Sequence, residues 1–422
     1  MKSDSKSPLV IVDGIRTPFS KMGSTLASAD AVELGRVAIN ALLSRTGFDP
    51  ELVDETIFGC VSQPFDAANI ARVIALRAGI PKTKPAMTVH RNCASGMESL
   101  TTAAERAASG HGEVFVVGGT ESMSSIPLLY SAAAAAKFGA LARAKTWGGK
   151  AAAALNFRPR DFAPIVGLRL GLTDPVADMG MGETAEVLAR EFEISREEQD
   201  TFALASNQKA FASREKLREE MCPVYLPGAK DGFVIDDNGV REGQTMEALA
   251  KLRPAFERNT GTVTAGNSSQ ITDGAVAMLV MTEARAEALG LEPLGRLIEH
   301  TYTGCDPERM GLGPAYAIRK LADRCGLKPS DADVVEINEA FAVQVLAVLK
   351  LMKTPGFEGL EIPEEKLNPN GGAVALGHPV GASGGRIILT ALHELRRTGG
   401  KRALCSICIG GGQGGAVWIE RP

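Results

Sequence analysis

The chain has 422 residues, of which 45% are hydrophobic, 46 are glycine and only 5% are aromatic. This length predicts two or three domains with cores of small side chains. The formal net charge of −4 argues against a nucleic-acid-binding protein, whose surface would be basic. No apolar run reaches the ~20 residues that a membrane span requires.

Predicted strands and helices alternate through the first 120 residues. Strands are expected at 9–12, 55–59, 85–89 and 113–119, and helices at 29–45, 68–78 and 94–108. This alternation predicts an α/β protein whose sheet is covered by helices.

The N-terminus and the cysteines indicate the compartment. Residues 1–8 are polar and precede a short strand, so we expect no signal peptide. The seven cysteines are odd in number and scattered, which does not suit a disulfide framework. We therefore expect a cytoplasmic protein.

The C-terminal third repeats the order of the N-terminal third. Residues 321–329 align with 42–50, and residues 382–384 align with 94–96, each followed by a predicted helix. Two matches in the same order predict an internal duplication. The two equivalent helices would then meet with their N-termini together and form one site.

An insertion over residues 122–255 separates the two halves. Its first part, residues 122–160, has six basic residues and no acidic one. Its alanine runs favour helix. Such a segment can bind a phosphorylated ligand, a membrane surface or a partner protein, and we prefer a solvated lid to the membrane interpretation. The basic residues are Lys137, Arg143, Lys145, Lys150, Arg158 and Arg160.

Cys93 lies where the predicted strand 85–89 passes into the helix 94–108. The free N–H groups and the positive dipole end of a helix favour a thiolate. They can lower a thiol pKa from about 8.5 towards neutrality and so create a nucleophile. The alternative is a small buried apolar side chain.

His378 stands between Gly377 and Pro379, just before the second of the two equivalent helices. Its neutral imidazole could accept the proton of Cys93, which is the pairing that covalent catalysis by a thiol needs. A structural histidine held in a turn is an equally good interpretation of this segment alone.

Two further segments carry candidate residues. An apolar strand leads Cys408 into a glycine run starting at Gly410, whose N–H groups can bind an anion. Cys405 and Cys408 have CxxC spacing, but one such pair without a second pair or nearby His is weak evidence for a metal or redox site. Asn338 ends a predicted strand and can hold a water or an oxyanion, or cap the next helix.

Two other motifs lack the sequence context that their usual functions require. Residues 381–385 match G-x-S-x-G, but no strand precedes them and no acid-then-histidine order follows, so a serine hydrolase is not expected. The glycine runs at 371 and 410 lack the strand–GxGxxG–helix context of dinucleotide binding.

The segments 92–96, 338–341, 377–379 and 408–412 together resemble the four signature segments of the thiolase family, and the similarity covers essentially the whole chain. It implies an α/β, duplicated five-layer αβαβα fold with an inserted loop domain. The implied domains are residues 1–121 completed by 256–290, the insertion 122–255, and residues 291–422.

Residues 181–186 and 251–256 resemble the fatty-acid-oxidation thiolases of the trifunctional-complex β-subunit type, although those relatives often carry His where this chain has Asn338. The resemblance implies thiolytic cleavage of 3-ketoacyl-CoA with CoA through an acyl-enzyme on Cys93. The alternatives are a biosynthetic acetyl-CoA C-acetyltransferase, a decarboxylating ketoacyl synthase and an inactive scaffold subunit. Cys408 argues against the synthase, in which His would be expected.

The resemblance also assigns the remaining roles. His378 would deprotonate Cys93, and Cys408 would exchange the proton of the acetyl-CoA carbon or activate the CoA thiol. One oxyanion would be bound by His378 and a water held by Asn338. The other would be bound by the N–H groups of Cys93 and Gly410.

Ser269, Met181 and Phe341 would contact CoA, and the basic insertion would meet its phosphates. Gly180 stands where several thiolases have a CoA-lining His. No permanently bound cofactor and no metal are implied. The expected partners are acetyl-CoA, CoA and 3-ketoacyl-CoA, and a second copy or more in a homodimer or homotetramer joined through sheet edges. A hydratase/dehydrogenase subunit is a further candidate partner.

Overall fold

The computed structural model describes residues 8–226 and 232–422. Residues 1–7, for which we predicted no signal peptide, lie outside this part. Residues 126–173 form one compact unit, and the remaining described residues form another. The strands are β1 (Leu9–Arg16), β2 (Ser20–Lys21), β3 (Glu55–Gly59), β4 (Ala86–Val89), β5 (Val114–Glu121), β6 (Leu128–Leu129), β7 (Ile165–Val166), β8 (Thr173–Asp174), β9 (Met179–Gly180), β10 (Val224–Tyr225), β11 (Phe233–Val234), β12 (Thr272–Thr282), β13 (Gly295–Gly304), β14 (Val334–Ile337), β15 (Arg402–Ile409) and β16 (Gln413–Glu420).

The helices include the three expected at 29–45, 68–78 and 94–108, each within two residues of the expected bounds. They are α1 (Ala31–Thr46), α2 (Ile70–Arg77), α3 (Ser95–Ala108), α4 (Ala132–Arg143), α5 (Trp147–Leu155), α6 (Gly167–Gly171), α7 (Met181–Glu191), α8 (Arg196–Ala212), α9 (Arg214–Arg218), α10 (Met246–Ala250), α11 (Glu283–Leu289), α12 (Gly313–Cys325), α13 (Ala342–Leu351), α14 (Ala373–Leu376) and α15 (Val380–Thr398). Short 3₁₀ turns lie at 50–52, 123–125, 159–162, 307–312, 329–331 and 364–366.

The large sheet has the order β14-β15-β16-β13-β1-β12-β5-β3-β4, with β2 paired to β12. In the first half β1/β12 and β12/β5 are antiparallel and β5/β3 is parallel. In the second half β13/β16 and β16/β15 are antiparallel and β15/β14 is parallel. The same order and the same senses occur twice, so the predicted internal duplication is confirmed. The proposed domain boundaries stay a prediction.

Both faces of the strands are buried, and this produces the layers. Along β5, Val114 and Val116 join the core beneath α1 and α2. Phe115 and Val117 join a second core with α3, α15 and strands of the C-terminal half. Because side chains alternate across a strand, each strand supports two helical layers. A third core joins β15 and β16 to α12 and α13, so α3 and α15 form the middle layer.

Glycines let the two middle helices approach each other closely. A Cβ atom on Gly96 of α3 would lie 2.9 Å from the carbonyl oxygen of Gly381 and 2.9 Å from the nitrogen of Gly385 in α15. A Cβ atom on Gly119 of β5 would overlap the Gly381 carbonyl. The equivalent helices therefore meet at their N-terminal ends, as the duplication predicted.

The unit of residues 126–173 has its own small aromatic cluster. The ring centroid of Phe138 lies 5.2 Å from that of Tyr130 and 4.8 Å from that of Phe157, which is 5.4 Å from Phe162. The alanine-rich runs form α4 and α5, as predicted. Within the described residues, no helix combines the length and the apolar composition that crossing a membrane requires.

Gly119→Ala should destabilise the protein by about 1–3 kcal/mol, because overfilled sites force the backbone apart. Gly304→Ala is the control, since a Cβ atom on that exposed strand glycine would lie 4.0 Å from its nearest neighbour. Urea unfolding of both variants measures the difference. Equal midpoints would contradict the inferred close packing of β5 against α15.

Candidate active site

A strained turn presents Cys93 ahead of α3. Asn92 has a φ of +43°, a left-handed conformation that Asn tolerates better than most residues. The Ser95 hydroxyl accepts a hydrogen bond from the Arg91 N–H at 3.0 Å and donates one to the Asn92 carbonyl at 2.7 Å. The turn is therefore fixed by the side chain of Ser95, and Cys93 remains partly exposed.

The sulfur of Cys93 lies against the glycine turn between β15 and β16. The N–H groups of Gly410 and of Cys93 itself hydrogen-bond the sulfur and act to lower its pKa. Burial is the larger effect, and the pKa of Cys93 is raised. The predicted lowering towards neutrality is thus wrong for the free protein, because the packing around the sulfur opposes its charge more strongly than the N–H groups favour it.

Asn92 connects the two turns, and the sequence analysis did not single it out. Its Nδ2 donates to the Gly410 carbonyl at 2.7 Å. That bond holds Gly410, whose N–H faces Cys93, against the turn that precedes α3. The only sequence signal was the presence of an Asn, which favours left-handed backbone, directly before the cysteine.

His378 is held by its backbone and by one side chain. Its N–H donates to the Gln270 carbonyl and the Thr272 hydroxyl, both at 3.1 Å. Its Nδ1 lies 2.6 Å from the Ser383 Oγ, which is 3.0 Å from the Pro379 carbonyl. Because the Ser383 hydroxyl gives its single hydrogen to that carbonyl, it must accept from Nδ1–H.

The other ring nitrogen of His378 is consequently an unprotonated acceptor. Nε2 is buried and has no partner among the described residues. Burial, with a contribution from Arg386, lowers the pKa of His378 to about 4. The imidazole is therefore neutral near pH 7 and can accept a proton.

Cys408 and Cys405 point to opposite sides of β15, as their spacing predicted. Cys405 packs in the core with α15, and its Sγ lies 3.6 Å from the Ile387 carbonyl. Cys408 is buried in a different core, beside α7 and α13. Burial and the nearby Cys93 raise the pKa of Cys408, so the sulfurs of Cys93 and Cys408 belong to one site.

Asn338 is completely buried, with its backbone N–H donating to the Ser406 carbonyl at 3.0 Å. Neither Oδ1 nor Nδ2 has a partner in the part of the chain that the structure describes. The alternative interpretation as a helix cap is wrong, because α13 begins at Ala342 with Phe341 at the cap position. Its amide is free to bind a water or a substrate oxygen.

The three predicted CoA contacts lie on segments next to this cluster. Ser269 donates its N–H to the Ala340 carbonyl at 2.9 Å, and Phe341 lies 6.1 Å from Phe256, ring to ring. A Cβ atom on Gly410 would lie 3.4 Å from the Met181 sulfur. Phe256 was not proposed individually, since an aromatic in a loop carries no distinctive pattern.

The family assignment follows from comparison with known proteins. The family model described as "Thiolase, N-terminal domain" matches residues 9–284, and "Thiolase, C-terminal domain" matches residues 291–421. The chain belongs to the thiolase family. It is an acyltransferase of the thiolase fold, as predicted.

Relatives with two different names are similar to nearly the whole chain. An acetyl-CoA acetyltransferase of Chromobacterium violaceum is 41% identical, covering 98% of this chain and 100% of the relative. A 3-ketoacyl-CoA thiolase of Yersinia enterocolitica is 38% identical, covering 98% and 96%. The structure of human mitochondrial 3-ketoacyl-CoA thiolase in complex with CoA superposes with a TM-score of 0.86, at 38% identity and coverage of 99% and 98%.

Ser383→Ala should lower kcat about 10- to 100-fold with little change in KM, because the ring of His378 loses the group that fixes its tautomer. Ser99→Ala is the control: this buried α3 serine bonds the Gly96 carbonyl and the Gly118 N–H instead. Steady-state kinetics measure kcat and KM of both variants. Equal kcat values for Ser383→Ala and Ser99→Ala would refute the role assigned to Ser383.

His378→Asn should reduce the acid sensitivity of folding. The pKa of His378 is about 4 in the folded protein and 6.5 when unperturbed. Between pH 6.5 and pH 4, this histidine is therefore protonated in the unfolded state but still neutral in the folded state. Wild-type stability therefore falls as pH drops from 6.5 to 4, by up to about 3 kcal/mol from this group. Urea unfolding at pH 7 and 4.5 should show a smaller decrease for the variant, whereas an identical decrease would exclude a buried neutral His378.

Proposed function

We propose that the chain catalyses reversible thiolytic cleavage of 3-ketoacyl-CoA, giving acetyl-CoA and a shortened acyl-CoA. The observation that carries the proposal is the convergence of Cys93, Cys408 and the Gly410 N–H. Two sulfurs and an N–H donor in one site are what a thiol-based acyl transfer with proton exchange at carbon requires.

In the first half-reaction the Cys93 thiolate attacks the keto carbon, after its proton passes to Nε2 of His378. The bond between that carbon and the methylene carbon breaks, and the methylene carbon takes a proton from Cys408. Acetyl-CoA leaves, and the acyl group stays on Cys93.

In the second half-reaction the CoA thiol gives its proton to the Cys408 thiolate and attacks the acyl carbon, and the departing Cys93 sulfur takes back the proton held on His378. The bond to Cys93 breaks, and acyl-CoA leaves. The N–H groups of Cys93 and Gly410 are proposed to stabilise one oxyanion. His378 and a group held by Asn338 are proposed to stabilise the other. Separate half-reactions let one pocket serve both directions.

The assignment to fatty-acid β-oxidation is the finer part of the proposal. The similarity to 3-ketoacyl-CoA thiolases supports it. The second candidate is acetoacetyl-CoA synthesis from two acetyl-CoA molecules, which is favoured by the names of several similar proteins. Thiolysis rates with 3-ketoacyl-CoA of four to sixteen carbons distinguish the two, since a strong preference for the four-carbon substrate would favour synthesis.

The proposed setting is a homodimer or homotetramer in the cytoplasm. All seven cysteines are free, in keeping with a reducing compartment. Among the described residues, strand β4 is the end of the large sheet and pairs only with β3, so its open edge can join a second copy. Light scattering of the purified protein, alone and with a hydratase/dehydrogenase, measures the assembly.

The two cysteines should fail at different steps. Cys93→Ala should form no acetyl-enzyme with acetyl-CoA, because it lacks the sulfur that carries the acyl group. Cys408→Ala should still be acetylated but should lose condensation by at least about 100-fold. Intact-mass spectrometry and condensation kinetics measure both.

Cys405→Ala is the matched control on the same strand, since its side chain faces another core. It should behave like wild type in both assays. Full condensation activity in Cys408→Ala would show that the role proposed for Cys408 is wrong.

A further inference from the structure

Glu121 is a buried carboxyl group that the proposed reaction does not use. It ends β5 and is 0% exposed. Its Oε1 accepts from the Ser62 N–H at 2.9 Å, and its Oε2 accepts from the N–H groups of Gly381 at 2.9 Å and Val61 at 3.2 Å. No Lys or Arg forms an ion pair with it within the described part of the chain.

These bonds join two segments of the site. Val61 and Ser62 belong to the loop after β3, and Gly381 is the second residue of α15, three residues after His378. A Cβ atom on Gly381 would lie 3.1 Å from the Glu121 Oε2 and 2.6 Å from the Thr120 carbonyl oxygen. Glu121 therefore fixes the first turn of α15 and limits how far the His378 segment can move.

The carboxylate also lies close to the turn that holds the nucleophile proposed above, because it binds Gly381, whose carbonyl oxygen is 2.9 Å from where a Cβ atom on Gly96, three residues after Cys93, would lie. The titratable groups that face Glu121 among the described residues are Cys60, whose Sγ is 3.8 Å from Oε1, and Cys93. Its negative charge raises the pKa of both thiols. The other titratable groups of the site are Cys408, whose thiol is near that of Cys93, and His378, the proposed proton acceptor.

The ionisation of Glu121 itself falls in the physiological range. Burial raises its pKa to about 7, against the opposing effect of the backbone N–H donors. Both protonation states are thus populated near neutral pH. A carboxylate beside a thiol disfavours the thiolate, and a neutral carboxyl group does not.

We propose that Glu121 is a positioning residue: it anchors the α15 turn behind His378, and its charge beside the turn that precedes α3 restrains ionisation of Cys93. The proposal rests on the proposed function, because it takes Cys93 as the nucleophile. A purely structural Glu121 would hold the turn without affecting the sulfur, and this difference can be measured.

The experiment is the pH dependence of Cys93 alkylation by iodoacetamide, followed by peptide mass spectrometry on the full chain without substrate. Glu121→Gln removes the charge, so its profile should move to lower pH, with alkylation at pH 7 faster by roughly threefold or more. Glu121→Asp keeps the charge and should retain the wild-type midpoint.

Glu55→Gln is the matched control. Glu55 is a buried carboxyl group at the opposite end of the adjacent strand β3, and burial raises its pKa as well. Its nearby charged groups are Arg106 and His111, not Cys93. Its profile should superimpose on that of wild type.

The wild-type protein provides a second measurement that does not depend on a variant folding. Ionisation of Glu121 near pH 7 should make its alkylation profile rise less steeply between pH 6 and 8 than a single titration. A single-titration profile, or a Glu121→Gln profile that equals wild type or moves to higher pH, would overturn the proposal. Failure of the proposed function would show differently, as wild-type Cys93 that is alkylated but never acetylated by acetyl-CoA.

Discussion

The close approach of α3 and α15 at their N-terminal ends is the constraint on which the rest of the site depends. Gly96 and Gly384 leave no room for a Cβ atom between the helices, so the two turns that precede them share one space. Cys93 lies in one turn and His378 in the other. Each turn is then fixed locally, by Ser95 on the first and by Ser383 on the second.

Burial governs the protonation states in this space. It raises the pKa of Cys93, Cys408 and Glu121 and lowers that of His378. The helix N-termini favour negative charge, but burial outweighs the few N–H donors that each of these acidic groups has. The two thiols and the imidazole are therefore uncharged in the free protein near pH 7, and the proposed proton transfer from Cys93 to His378 must be favoured by what the substrate contributes.

The sequence was sufficient for the fold, and it singled out the three groups proposed to react, since Cys93, His378 and Cys408 each stand beside residues with unusual backbone requirements. It was insufficient for their partners. Ser383 looked like part of a rejected hydrolase motif, and only its distance to Nδ1 shows its role. Glu121 and Phe256 lack any local sequence pattern, because their contacts are with segments far away in the chain. The direction of the Cys93 pKa was wrong for the same reason: burial is a property of the tertiary structure.

Some polar atoms at the tips of the site's side chains have no hydrogen-bond partner in the described part of the fold. A buried donor or acceptor without a partner costs about 1–3 kcal/mol, and Nε2 of His378 and both polar atoms of the Asn338 amide are in this state among the described residues. The backbone N–H of each residue is hydrogen-bonded, to the carbonyls of Gln270 and Ser406 respectively. Side chains held rigidly at the backbone but unsatisfied at their tips are preorganised for groups that arrive with the substrate. Their orientation is already fixed before binding, so little reorganisation opposes the reaction.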